Sequence, residues 1–126
     1  MNLPKEDVDF LVAASLSYRV FDDGMLNVEL LDFELPPGLN APHANILFRL
    51  SPNYPDTPPD MWWAVPHLTT ASGGAIAATE SIELYDGRNW QRWSRHLEGG
   101  IWSSGIDGLE SYVRLLRTEL EKAGTA

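Results

Sequence analysis

The sequence predicts an α+β fold: an N-terminal helix, a four-stranded antiparallel β-meander, an irregular segment and a C-terminal helix. Three observations carry that expectation. Apolar residues alternate with polar ones in two stretches, 26–35 and 44–50, those from Leu109 to Leu120 repeat with the helical period, and a proline-rich stretch at 51–60 permits neither pattern. With 126 residues, 44% of them apolar, the chain suits one compact domain spanning 1–126.

The elements follow in order. Pro4 precedes Glu6 and Asp7, acids that suit the positive end of a helix. Val8, Leu11 and Val12 fall at i, i+3 and i+4, and Phe10 pairs with Ala14, which predicts a short amphipathic helix from about Pro4 to Ala14. Tyr18–Phe21 and a run from Met25 flank Asp22-Asp23-Gly24, and an Asp-Gly pair is a strong hairpin signal. The second strand alternates Leu26, Val28 and Leu30, then slips phase to Leu31, Phe33 and Leu35. That slip predicts a bulge or bend before Pro36-Pro37-Gly38. A third strand places Ala44, Ile46, Phe48 and Leu50 on one face.

Ser51–Asp60 holds four of the nine prolines and is excluded from helix and central strand. Met61, Trp63 and Val65 read as a short fourth strand, and Thr69–Ala78, with Gly73-Gly74, as a mobile loop. Tyr85–Trp102 shows neither period, so it is expected to be irregular; its tryptophans, arginines and His96 make it the candidate functional segment. In the C-terminal helix, Leu109, Tyr112, Val113, Leu116 and Leu120 form one face. Asp107 is the expected cap with Glu110 as its reciprocal partner, Glu110 and Arg114 a favourable surface pair, and Gly124 the terminator. Trp62, Trp63 and Trp90 are expected in the core.

A formal net charge of −9 and a pI of about 4.6 argue against a nucleic-acid partner, since phosphate binding needs Lys and Arg. The charge is uneven. Residues 1–34 carry eight acids against two bases, whereas residues 86–96 carry Arg88, Arg92 and Arg95 against Asp86 alone. No apolar run could cross a bilayer, and the start lacks signal-peptide blocks, so no membrane partner and a cytoplasmic location are expected. The absence of cysteine removes disulfides, thiolate metal sites and thiol nucleophiles together. His43, His67 and His96 lack ligand spacing, and no glycine loop suits a phosphate, so neither metal nor cofactor is expected.

The cluster Trp90-Gln91-Arg92-Trp93-Ser94-Arg95-His96 is the most informative for chemistry. Residues two apart on extended chain share a face, so His96 could take the proton of Ser94 while arginines hold an anion. The alternative is a surface serine above a packing tryptophan, and local sequence leaves both open. No G-x-S-x-G elbow is present.

The element order, the turn Tyr54-Pro55-x-x-Pro58-Pro59, and Trp93-Ser94-Arg95-His96 followed by Trp102-Ser103-Ser104-Gly105 together resemble the ubiquitin-conjugating enzyme superfamily over essentially the whole chain. The likeness is greatest to its divergent bacterial branch, found beside ubiquitin-like proteins and their activating enzymes. In that family the catalytic cysteine stands eight residues before a tryptophan that opens the next helix; counted from Trp102, the position is Ser94. The family's His-Pro-Asn element has no counterpart in Glu83–Arg88. The resemblance implies a transferase of the conjugating-enzyme type. Ser94 would accept the C-terminus of a ubiquitin-like protein from an ATP-dependent activating enzyme as an oxyester and pass it to a target. His96 would act as acid and base, Arg88, Arg92 or Arg95 would stabilise the oxyanion, and Asp86 would orient the histidine or an incoming amine. Trp102 and Trp93 would support the segment with Tyr54, Pro58 and Pro59. The N-terminal helix, with Glu6 and Asp7, would face the activating enzyme, and a deconjugating protease would share the pathway. The competing implication is a non-catalytic binding module, because cysteine-less relatives also serve as partners that hold ubiquitin or another subunit.

Overall fold

The computed structural model describes residues 2–97 and 101–125. The chain runs α1 (Lys5–Ala13), β1 (Tyr18–Asp22), β2 (Leu26–Glu34), β3 (His43–Leu50), β4 (Trp62–Val65), β5 (Ile82–Tyr85), β6 (Arg88–Trp93) and α2 (Leu109–Gly124). The strands form one antiparallel sheet in the order β1-β2-β3-β4-β6-β5. The α+β class is as expected, but the sheet has six strands rather than four. The two extra strands lie inside Tyr85–Trp102 and just before it, where no period was recognised. Their signal is a second Asp-Gly pair: Asp86 (φ 52) and Gly87 (φ 72) both take the left-handed conformation that closes a two-residue hairpin.

Both helices pack on one face. Val28, Leu30, Ile46, Phe48, Trp62 and Trp93 of the sheet meet Leu11 of α1 and Leu109, Tyr112, Val113, Leu116 and Leu120 of α2. Fully burying one such leucine contributes about 1.5–3 kcal/mol. Trp62 stacks on Trp93 with ring centroids 6.1 Å apart, and the edge of Tyr112 meets Trp62 at the same distance. The three expected core tryptophans are buried, but on opposite sides. Trp63 and Trp90 join Leu47 in a smaller cluster on the face away from the helices. That face also buries charge: the Glu29 side chain is 1% exposed and accepts both Arg88 Nη atoms (2.8 and 2.6 Å), Arg19 and Asn45 Nδ2 (2.7 Å).

The phase slip in β2 is a register shift between Leu30 and Phe33, with Asp32 at φ 48. It swings Phe33 and Leu35 back into the core. The 69–78 loop is irregular as expected, but it is pinned by a Leu39–Thr70 bridge and by buried Leu68 and Ile76.

Two helix readings change. On α1 the inward residues are Asp7 and Leu11, with Phe10 packed against the core; Val12 is exposed. On α2 Gly108 stands at the cap without a side-chain bond. Asp107 instead accepts the Ser103 amide (2.7 Å) and the Ser111 hydroxyl (2.8 Å), while the Leu109 amide is taken by Asp7 Oδ1 at 2.9 Å. A buried carboxylate from the other helix thus satisfies the orphan donor that the local cap was expected to fill. Glu110 and Arg114 form no ion pair. Gly124 is the last helical residue, and a Cβ there would lie 2.4 Å from the Pro37 carbonyl oxygen, so close approach explains the glycine.

Candidate functional site

Ser94 is the first residue beyond β6, half-buried at the end of the sheet. Its amide donates to the Ala78 carbonyl (3.0 Å), and the next residue's carbonyl accepts the Met61 amide (3.1 Å). These bonds tie residues 94–96 to the chain on either side. Met61 (φ 61) and Ala78 (φ 59) both sit in the left-handed region. Neither residue type favours it, and such backbone costs about 1–3 kcal/mol each.

The bond from Met61 to Arg95 also sets what His96 meets. It lays Asp60 beside the histidine, with Asp60 Oδ1 2.6 Å from His96 Nδ1. Both side chains are largely exposed, His96 at 62%. In neutral imidazole, a proton on Nδ1 facing the carboxylate leaves the Nε2 lone pair to accept another. Asp60 was missed in the sequence because nothing local links it to a residue 36 positions on; the expectation had assigned that place to Asp86.

The arginines divide. Arg88 and Asp86 lie at the opposite end of β6. Six residue steps of extended chain, about 20 Å, separate Arg88 from Ser94. Arg88 is bound to Glu29 and Asp86, and Arg19 joins them through Asp86. The structure therefore does not bring Arg88 or Asp86 to Ser94 or His96. Arg95 turns the other way, with its Nε 2.9 Å from Glu119 of α2 and its guanidinium over Trp93. Arg92, two residues before Ser94, donates to Glu83 and to Ser81 Oγ (both 3.2 Å).

The supporting residues come together. Trp102 Nε1 donates to the Pro55 carbonyl (2.8 Å), and its ring lies 6.3 Å from that of Tyr54. The Tyr54 hydroxyl donates to Asp7 Oδ2 at 2.6 Å. Burial and then the Asp7 carboxylate push the Tyr54 phenol well above its ordinary range, so it stays protonated. Pro59 is buried and Pro58 half-buried in the same turn. Trp93 is fully buried and donates to Gln91 Oε1 (3.0 Å). Asp7, expected on an acidic docking face, is instead the buried hinge joining α1, the proline-rich turn and the start of α2; Glu6 is exposed.

A groove of about 340 Å³ opens on the face away from the helices, and Asp60, Met61, Pro58, Arg92 and Arg49 are among its walls. No helix among the described residues is long and apolar enough to cross a membrane. Neither a curated protein nor a solved structure matches the chain. A family model described as prokaryotic E2 family E matches residues 3–123, from the start of α1 almost to the end of α2. Helices at both ends of an antiparallel sheet, the Tyr54-Pro55 turn docked on Trp102, and that match over nearly the whole length together place this cysteine-free chain in prokaryotic E2 family E.

Proposed function

We propose that the protein is an acyl carrier for a ubiquitin-like protein, loaded on Ser94 by an activating enzyme. The observation that carries this reading is the Asp60–His96 pair at the end of the sheet, two residues from Ser94. Left-handed backbone at Met61 and Ala78 supports it, because strain of this kind concentrates at functional sites.

The chemistry needs that pair. A thioester is an active acyl donor because thiolate leaves readily, whereas a serine alkoxide leaves only if it is protonated. In loading, Ser94 Oγ attacks the carbonyl of the ubiquitin-like C-terminus held on its activating enzyme. The new C–O bond forms as the bond to the activating group breaks, and His96 Nε2 takes the hydroxyl proton. In transfer, an acceptor amine attacks the ester carbonyl. His96 returns a proton to Ser94 Oγ as the C–O bond breaks, and the amine's surplus proton passes to solvent. Asp60 holds the ring so that Nε2 carries this traffic. With Arg95 held by Glu119 and Arg88 by Glu29, Arg92 is the arginine left for an oxyanion, once freed from Glu83 and Ser81.

The test is reconstitution with an activating enzyme, its ubiquitin-like protein and ATP, read by intact mass. The expected adduct resists reducing thiols, is cleaved by alkali and is absent in Ser94→Ala. His96→Gln should slow loading by about 10²–10⁴-fold. No adduct, with binding to the ubiquitin-like protein retained, would make the chain a recognition subunit; the absence of cysteine and of the His-Pro-Asn element favours that second reading.

A further inference from the structure

The two edges of the sheet are treated differently. β1 carries Arg19, engaged with Glu29 and Asp86, at one edge. β5 forms the other edge with Ile82-Glu83-Leu84-Tyr85, and its apolar residues are open to solvent: Ile82 is 50% and Leu84 67% exposed. The ladder fixes which backbone groups are free. The Arg92 amide bonds to the Ser81 carbonyl, so the residue pairs 81/92, 83/90 and 85/88 exchange hydrogen bonds with β6. The N–H and C=O groups of Ile82 and Leu84 therefore point outward, and they have no partner among the described residues. Unpaired backbone and exposed apolar side chains thus coincide at the same two residues. No Pro, Lys or bulge blunts this edge, as edges that must stay single are usually blunted.

A second copy of the chain fits poorly. Two-fold pairing about Glu83 sets Glu83 opposite itself; pairing about Ile82 sets Leu84 against Glu80, and pairing about Leu84 sets Ile82 against Asp86. Each register opposes like charges or an apolar residue with a carboxylate, between bodies of net charge −9. Residues 80–87 hold three acids and no base.

We propose that the β5 edge docks an extended basic peptide segment with apolar residues at alternate positions, added as a seventh strand antiparallel to β5. The apolar residues would cover Ile82 and Leu84 on the helix side, and the basic ones would lie on the opposite face beside Glu83. A strand in this direction runs parallel to β6, so its carboxyl end lies at the Ala78–Ser94 end of the sheet, two strand spacings or about 10 Å from β6. That direction suits the C-terminal tail of a protein to be loaded on Ser94. The identity of the tail rests on the carrier reading; the docking itself does not require Ser94.

The experiment uses the full chain and a fluorescein-labelled peptide alternating valine and lysine, against its valine–glutamate counterpart, read by anisotropy and by amide exchange. The basic peptide should bind wild type and Ser94→Ala alike, slowing exchange at Ile82 and Leu84. Leu84→Pro removes only an outward donor and should weaken binding by about tenfold. Leu84→Lys, at an exposed position, should weaken it too, while Val20→Lys on β1 should change it by less than about twofold. Equal binding of both peptides, protection on β1 instead, dimerisation through β5, or unchanged binding by Leu84→Lys would overturn the proposal. Because these readouts involve no acyl transfer, failure of the Ser94 adduct leaves them unaffected.

Discussion

At the Arg88 end of β6, the charged groups have partners within reach. Glu29 is buried beneath Arg88, Arg19 and Asn45, and Asp86 links both arginines above it. At the Ser94 end, about 20 Å along the same strand, Arg95 is held by Glu119 but Ser94 and His96 have few partners. His96 has Asp60 as a single exposed partner, and the Ser94 hydroxyl makes no hydrogen bond among the described residues. The two ends look alike in sequence: each has arginine, an acid or a histidine, and a tryptophan beside it. The difference lies in how many partners surround each charge. An arginine whose donors are consumed by a buried carboxylate holds the sheet together and is not free to receive an oxyanion.

The largest effect that would break this comparison is Arg88→Ala. It leaves the Glu29 carboxylate buried with only Arg19 and Asn45, and unfolding in urea should show a loss of about 2–4 kcal/mol. A change below about 0.5 kcal/mol, as at an ordinary surface site, would mean the two ends do not differ as described.

Acid should sharpen the contrast. The Arg88 guanidinium, opposed by burial and aided by Asn45 and Arg19, holds the Glu29 carboxyl below its ordinary value of 4.5. A depressed folded-state value means the stabilisation is present above pH 4.5 and is lost as the pH falls through the folded value. Melting temperature should therefore drop on acidification below pH 4.5 in the wild type, and this acid-linked loss should shrink in Arg88→Ala. An identical pH profile for the two proteins would assign the acid sensitivity elsewhere.

The smallest effects belong to the other end. Ser94→Ala and His96→Gln should each change stability by no more than about 0.5 kcal/mol, because His96 is exposed and the half-buried Ser94 loses a hydroxyl that makes no hydrogen bond among the described residues. Their consequence, if the carrier reading holds, is confined to loading and transfer. A large destabilisation by His96→Gln would make the Asp60 pair a structural clasp.

Much of this was legible along the chain. The buried stripe of α2, the alternation and bulge of β2, and the Asp23-Gly24 hairpin depend on neighbours within a few residues, where period and turn chemistry act directly. Asp86-Gly87 carried the same hairpin signal, but the strands it joins are short and rich in Trp and Arg, so their alternation was hidden. Trp63 and Trp90 show why: both faces of this part of the sheet bury aromatics, which erases the polar–apolar contrast that marks a half-buried strand. Asp7 and Asp60 were out of reach for another reason. Their partners, Tyr54 and the Leu109 amide for one and His96 for the other, lie 36 to 102 residues away.

The amino-acid sequence by itself determined the class of the fold, the order of most of its elements, the absence of any thiol and the Tyr54-to-Trp102 pattern of its family, since these are set by composition, local period and spacing. Only the tertiary structure decided which charges are spent on the fold and which remain for chemistry. Arg88 and Arg95 are drawn to Glu29 and Glu119, and His96 to Asp60, by a sheet register that brings distant chain segments within hydrogen-bonding distance. A carboxylate removed from water binds whichever donor the fold places beside it, and that placement follows from packing rather than from proximity along the chain.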